Sequence, residues 1–536
     1  MIIVVLILLG LSYLSPDSYF AWYDAQQDFF AILSLITLLY SLKQKIFKIS
    51  KSEIIIFFIL ILVPTLQFVT GKIYFTQDFI LTIFYILIFC FSVICGSNYL
   101  NWNKDKDFWY IAFISYGLIS VFIELLQIYL SSQSIFVRNG YTTRAFANLG
   151  QPNQLSTLLI ISYISNIILY FRKKTSNIVY LIINVILLAG IVLTQSRTSW
   201  LIFTIFPLII ILKKDIKLFK ILTINSFMLF SFVSFISYIN EVLYITNQGF
   251  NERFHSQAAR PIIWKQMLIA ISQEPLFGYG WHQTQAAQVL ITPSYSIKLI
   301  ILYSHNLFID LLVWNGVPLG MLFIGIIMFV TIRMFIRICD SENLLLFLIL
   351  TAFGVHSLLE YPFAYAYFIF PIGLIFGILN YDMPDIKKIY LCSHINYIFG
   401  SILLISLTIV TWEYLDVKNK NAKYAEENLF SNTVTPIVSN VRLLDNLNLQ
   451  TDIIFLKSCY VLQNYSHQDL KHAALNLPTN KNLKIFYQSS VYNNYNSTLS
   501  INLLKFNYSG DIEGVVLAAN KELNECKSIR VNKELN

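Results

Sequence analysis

Charge is what this sequence has least of. Charged residues make up 13% of the 536-residue chain and hydrophobic residues 56%, whereas a soluble domain carries about 25% charge. That shortage excludes a water-soluble enzyme of this size, and it excludes intrinsic disorder for the same reason. Cysteine and histidine are sparse too, at six and seven residues. Neither falls in a C-x-x-C or H-E-x-x-H spacing, so no metal and no other cofactor is expected. Cys90 and Cys95 lie within an apolar run and read as packing residues. Cys459 and Cys526 lie in the C-terminal tail. There an oxidising compartment would permit a disulfide, and two separately buried thiols are the alternative. The apolar runs lack period-two alternation, which excludes a membrane β-barrel.

What is present is a series of apolar runs of about 15 to 23 residues, the length of a membrane helix. They fall near 1–14, 28–42, 53–70, 78–100, 108–130, 154–171, 177–194, 199–212, 219–239, 317–336, 343–359, 366–380 and 394–412. The expected fold class is an all-α polytopic membrane protein with about 13 transmembrane helices. A large external loop and a small helical C-terminal domain complete it.

The net charge of +8 is mostly topogenic and does not call for nucleic acid as a partner. Alternate loops hold Lys43/Lys45/Lys48/Lys51, Lys104/Lys106, Arg172/Lys173/Lys174, Lys213/Lys214/Lys217/Lys220, Arg333/Arg337 and Lys387/Lys388. The positive-inside rule makes these loops cytoplasmic, with the start of the chain inside and the tail outside. No signal-peptide pattern precedes the first run, which reads as an uncleaved span. The outward loops hold a different cation: Arg138, Arg144, Arg197, Arg253 and Arg260, against Lys72, Lys265 and Lys298. Topology needs only charge, so arginine outside suggests bidentate recognition of phosphate or carboxylate. Pairing with loop carboxylates or lipid headgroups is the plainer reading of any one of them.

Several constellations line the outward side. His305-Asn306 follows the long loop at the outer end of a run, where a histidine can exchange a proton near neutrality. Residues 305–316 could form a helix at the outer membrane surface, and an amphipathic helix is expected from Pro261. His356 and Glu360 lie one helical turn apart near the outer end of another run, either as a polar wall of a site or as a pair stabilising the helix end. Gln195-Ser196-Arg197-Thr198 is a very short outward turn that pins Arg197 at the membrane face. Arg144, Asn148, Gln151, Asn153 and Gln154 cluster in RAFANLGQPNQL, and amides both donate to and accept from sugar hydroxyls; a turn with a helix cap is the alternative. Gly278-Tyr279-Gly280 is too short to argue for a phosphate loop. Asp105-Lys106-Asp107 reads as a solvated linker.

In order along the chain, RAFANLGQPNQLSTLL, QSRTSWL, RPIIWKQMLIAISQEPLFGYGW, HNLFIDLLVWNGVPLG and HSLLEYPFAYAYFIFPIGLIFG resemble the bacterial protein O-oligosaccharyltransferases of the PglL type. These belong to the superfamily of O-antigen ligases (WaaL) and polymerases (Wzy). The tail segment ALNLPTNKNLKIFYQSSVYNNYN is similar to the same branch, whereas the first 130 residues match only in hydropathy and in SPDSYFAWYDA. The resemblance implies N-terminal transmembrane helices over 1–130, a ligase-like catalytic membrane domain over 131–412 with periplasmic loops 131–153 and 240–316, and a periplasmic helical domain over 413–536. It implies an inner-membrane glycosyltransferase acting at the periplasmic face without a metal. The donor would be a glycan on undecaprenyl diphosphate, the acceptor a Ser or Thr hydroxyl of an exported protein such as a pilin, and membrane lipids the surroundings.

The roles follow from the chemistry of that reaction. Negative charge gathers on the departing diphosphate, so fixed cations stabilise the transition state. Arg197 and Arg260 are assigned there, with Arg253 and Arg144 as further contacts. The hydroxyl needs a base near neutrality, which assigns His305 as general base or as the group that orients the acceptor. Asn148, Gln151, Asn153, Asn306, His356 and Glu360 are expected to bind substrate. Ligation of O-antigen to lipid A core, or its polymerisation, is the rival within the superfamily. A lipid-linked glycan transporter is the rival outside it, but would call for inverted repeats.

Overall fold

In hydrocarbon every backbone N–H and C=O must be paired within the protein, and an apolar run achieves this as a helix. The computed structural model describes residues 1–16, 22, 24–42, 46–99, 102–130, 137–138, 144–243, 259–291, 301–381, 388–392, 394–430 and 443–444. A helix occupies each apolar run. In chain order these are α1 (Ile2–Leu14), α2 (Ala25–Ser41), α3 (Lys51–Val69), α4 (Thr76–Ser97), α5 (Trp102–Leu130), α6 (Pro152–Phe171), α7 (Asn177–Leu193), α8 (Arg197–Lys213) and α9 (Ile216–Leu243). Two helices of the long loop follow, α10 (Ala259–Gln273) and α11 (Thr284–Leu290). Then come α12 (Leu307–Arg337), α13 (Ser341–Ser357), α14 (Ala366–Tyr381) and α15 (Ile395–Phe430). Among the described residues, seven helices are long and apolar enough to cross a membrane: α3, α4, α5, α6, α9, α12 and α15. Helices α1, α7, α13 and α14 are apolar but shorter. The chain is a multi-pass, mostly helical membrane protein.

Helix α6 is its axis: every residue from Pro152 to Leu169 is buried, packed among α5, α7 and α13. Small residues bring α4 and α14 into backbone contact. A Cβ on Gly377 would lie 2.1 Å from the Val93 carbonyl oxygen, and one on Gly96 2.1 Å from that of Leu374. This is the close approach that membrane helices use in place of a hydrophobic driving force.

The described parts of the basic loops are tied together at one end of the bundle. Strands β1 (Ile46–Ser50) and β2 (Lys388–Cys392) pair antiparallel, with Lys48 opposite Tyr390. The Asn98 amide extends this ribbon: its Oδ1 accepts from Lys48 N at 2.7 Å and its Nδ2 donates to Lys48 O at 2.9 Å. The ribbon is an addition to the all-helical expectation. Its two halves lie far apart in sequence, and each is too short to show alternation. At the same end Glu342 takes Lys106 at 2.8 Å and Arg172 at 3.1 Å, while Asp107 takes Arg172 at 2.7 Å. Asp215 accepts from Ser341 at 2.6 Å, and Lys213 reaches the Ile338 carbonyl at 2.8 Å. Asp105-Lys106-Asp107, read from sequence as a solvated linker, is therefore an ion-pair hub joining three loops.

The opposite end is built by the long loop. Helix α10 begins where the Pro261 signal places it, and its Ile263, Met267, Ala270 and Ile271 join Val313 and Trp314 of α12 in a second core. Residues 307–316 do form their own helical segment, because α12 breaks at Gly316 (φ 72°, ψ 173°) before continuing inward. Gly278 presses on that break, since a Cβ there would lie 2.5 Å from Gly316 N. Of the expected tail domain, α15 continues to Phe430. Cys459, Cys526 and Arg253 lie outside the described residues.

Candidate active site

Three segments distant in sequence converge on Glu360, just past the end of α13. Asn153 Nδ2 donates to its Oε1 at 2.8 Å, and Gln151 Nε2 to its Oε2 at 3.1 Å. Arg260 Nη2, from the first turn of α10, pairs with Oε1. His305 Nδ1 lies 2.6 Å from Oε2. The side chain of Glu360 is 6% exposed, those of Arg260 and His305 29% and 25%. A carboxylate has about four lone-pair sites, so this one is saturated. Burial pushes its pKa up, but the hydrogen bond from His305 and the charges of His305 and Arg260 outweigh burial and hold it at about 2, against an ordinary 4.5. An ionised carboxylate only accepts, so Nδ1 of His305 carries the proton it donates. In the neutral imidazole Nε2 is then the basic nitrogen.

That pKa has a testable consequence. A folded value below the unfolded one means the carboxylate's stabilisation is complete above the unfolded pKa and is lost as pH falls through the folded one. The difference in melting temperature between wild type and Glu360→Gln in detergent should persist down to about pH 5 and shrink between about pH 4.5 and 2. A difference that vanishes already above pH 6 would contradict an ionised Glu360.

The backbone around His305 is as constrained as its ring. His305 is left-handed (φ 58°), uncommon for a residue with a Cβ. The turn is held on both sides. Ser304 N donates to Asp310 Oδ1 at 2.9 Å, and the Ser304 carbonyl accepts from Trp264 Nε1 at 3.0 Å. Asn306 caps α12, its Oδ1 accepting from Phe308 N and Ile309 N at 3.0 and 3.2 Å. Asn306 thus orients the histidine by starting the helix after it. The ring of His305 stands edge-on to Tyr361, with centroids 5.0 Å apart.

The other candidates separate by what they touch. Gln151 and Asn153, expected as readers of sugar hydroxyls, spend their amide N–H groups on Glu360. Asn153 Oδ1 accepts from Ser196 Oγ at 2.8 Å, which ties the Gln195-Ser196-Arg197 turn to the same cluster. Arg197 begins α8 with an exposed side chain. Arg144 grips the Thr194 carbonyl through Nε and Nη2 at 3.0 and 2.9 Å, so it anchors the turn that presents Arg197. Asn148 is 1% exposed. Its Nδ2 donates to Leu14 O at 2.7 Å and its Oδ1 accepts from Arg138 N at 2.9 Å, which holds the loop. His356 is fully buried, with Nδ1 2.8 Å from Thr157 Oγ1. Its side chain and that of Glu360 do not bond to each other; each has its own partners, and the backbone bond from Glu360 N to His356 O at 2.8 Å links them. The pairings His305–Glu360 and Arg260–Glu360 were missed from sequence. The available signal was a carboxylate at a membrane boundary among arginines, which must find a cation.

Residues 182–324 match the O-antigen ligase family, and residues 344–450 match the C-terminal region of virulence factor membrane-bound polymerases. The class is that of multi-pass membrane enzymes that handle glycans. Within it, the chain is 32% identical over 386 residues to the ComP-specific O-oligosaccharyltransferase of Acinetobacter baylyi, covering 70% of this chain and 69% of that one. It is also 32% identical over 295 residues to the general O-oligosaccharyltransferase of the same organism, covering 52% of this chain and 50% of the other. The chain belongs to the O-oligosaccharyltransferase family of the O-antigen ligase superfamily and is a glycosyltransferase.

Proposed function

We propose that this enzyme transfers a preassembled glycan from undecaprenyl diphosphate to Ser or Thr hydroxyls of exported proteins such as pilins, at the periplasmic face of the inner membrane. The observation that carries the reading is the His305–Glu360 pair at 2.6 Å with Arg260 on the other carboxylate oxygen. Glu360 fixes the tautomer and His305 Nε2 takes the acceptor proton. The acceptor oxygen attacks the anomeric carbon, the bond from that carbon to the phosphate oxygen breaks, and the diphosphate leaves with the electron pair. Arg260 and Arg197 stabilise the charge gathering on it. Gln151 and Asn153 support Glu360, and Arg144 and Asn148 hold the loops. The orientation rests on positive-inside sorting. With the basic end cytoplasmic, the Glu360 cluster faces the periplasm, as does the tail, 413–536.

The reading is tested in a host lacking its own ligases, supplied with a glycan locus and this gene. Glycan on exported proteins is the expected outcome; glycan only on lipid A core would favour O-antigen ligation and overturn it. A second prediction concerns the arginines. Lysine keeps the charge and loses the planar fork. Arg260→Lys and Arg197→Lys should each lower transfer by about 100-fold, the size of a lost transition-state contact, while Lys265→Ala should change it less than about threefold. Small, equal effects for all three would contradict the clamp.

A further inference from the structure

A second histidine–carboxylate pair stands beside the first. His282 Nδ1 lies 3.8 Å from Asp78 Oδ1, too long for a hydrogen bond. Gln283 Nε2 donates to the other oxygen of Asp78 at 2.8 Å. The side chain of His282 is 28% exposed, close to the 25% of His305, and its backbone is likewise left-handed (φ 65°). The loop bearing it is fixed to the same scaffold as the His305 turn. Thr284 Oγ1 donates to Asp310 Oδ1 at 2.8 Å and accepts from Trp314 Nε1 at 2.7 Å, and that same Asp310 oxygen holds Ser304 N.

Two tyrosines join the histidines. The ring of His282 lies 5.0 Å from that of Tyr303; Tyr303 stacks on Tyr361 at 4.9 Å; Tyr361 meets His305 at 5.0 Å. The result is a continuous strip of four rings with an imidazole at each end. Only one end touches Glu360 and Arg260. The other end is two rings away from the chemistry, so His282 cannot act on the same proton as His305.

We infer that the His282 end of this strip is a subsite for sugar residues of the glycan beyond the one bonded to phosphate. This rests on the proposed reading, which puts the reacting anomeric carbon at His305. A glycan leaving that point passes along the strip in steps comparable to its own ring repeat. Aromatic rings offer apolar surface with polar tips. The partly exposed imidazole of His282 both donates and accepts, matching sugar hydroxyls of either orientation. An extended peptide would instead need a row of backbone donors and acceptors, which a strip of rings does not offer. With Asp78 facing Nδ1, Nε2 is the nitrogen left for a sugar hydroxyl.

The test uses the full-length protein in detergent with an acceptor protein and two polyprenyl-diphosphate donors sharing the same reducing-end sugar, one a monosaccharide and one a trisaccharide. Wild type should show the higher kcat/KM on the trisaccharide. His282→Ala should lower that preference about tenfold, the worth of one hydrogen bond of this kind, with the loss chiefly in KM. His282→Phe keeps a ring against Tyr303 and removes the polar atoms, so it should lower the preference equally and decides the matter where the alanine variant fails to fold. Equal losses on both donors, or no loss on either, would overturn the subsite while leaving the proposed transfer standing. Wild-type protein inactive on both donors would instead overturn the proposed function, and the subsite with it.

Discussion

His305→Ala should lower glycan transfer by about 100- to 10,000-fold, the range for removal of a general base, in a protein that still inserts and melts cooperatively. The local structure explains why folding should survive. His305 is a quarter exposed, and its turn is held from Ser304 and Asn306 as well as by the ring's bond to Glu360. Histidine is favoured several-fold over most residues in the left-handed region, so alanine there costs about 1 kcal/mol. Glu360 would keep three of its donors, Arg260 among them, so its charge stays compensated. The assay is transfer by purified protein from a lipid-linked glycan to an acceptor protein, with a melting curve alongside. Activity within a few-fold of wild type in the folded variant would remove His305 from the chemistry.

Glu360 should give the largest combined effect on activity and stability. In Glu360→Ala a buried carboxylate that neutralises Arg260 is gone, and four donors from three other segments lose their acceptor. Breaking a buried ion pair by deleting one partner costs about 3–5 kcal/mol, so the melting temperature should fall by several degrees and transfer should be lost. Glu360→Gln separates the two effects. It keeps the volume, but the amide must direct its NH2 toward some of those donors. If that NH2 faces Nδ1 of His305, Nδ1 has to accept, the proton moves to Nε2, and the basic nitrogen is lost. We expect the Gln variant to fold with a smaller stability loss than Ala and to transfer about 100-fold more slowly than wild type. A Gln variant with wild-type turnover would show that the carboxylate only holds the fold together.

The helices were legible because the bilayer imposes length and composition on each one separately. Pro261 marked the start of α10 for a similarly local reason, and the basic loops sorted together because each carries its own charge. The site was legible as a parts list but not as a set of pairs. His305, Arg260, Glu360, Gln151 and Asn153 were all singled out. What the sequence does not encode locally is that Arg260 reaches Glu360 across 100 positions and His305 across 55. Those contacts depend on how α10 and the break at Gly316 fold over the end of α13. The same limit applies to the amides: from spacing alone Gln151 and Asn153 serve a sugar as well as a carboxylate, and only the position of Glu360 decides. The β1–β2 ribbon and the His282–Asp78 pair were missed because each joins segments whose relation appears only after folding.

The most direct test of the account is a double-mutant cycle on His305 and Glu360, with transfer to an acceptor protein as the readout. If Glu360 acts by setting the tautomer of a His305 base, the two residues work as one unit, and units of this kind are strongly non-additive. The account predicts that adding Glu360→Gln to His305→Ala slows transfer no further than His305→Ala alone, within about twofold. Losses that multiply, so that the double variant falls by the product of the single effects, would contradict it.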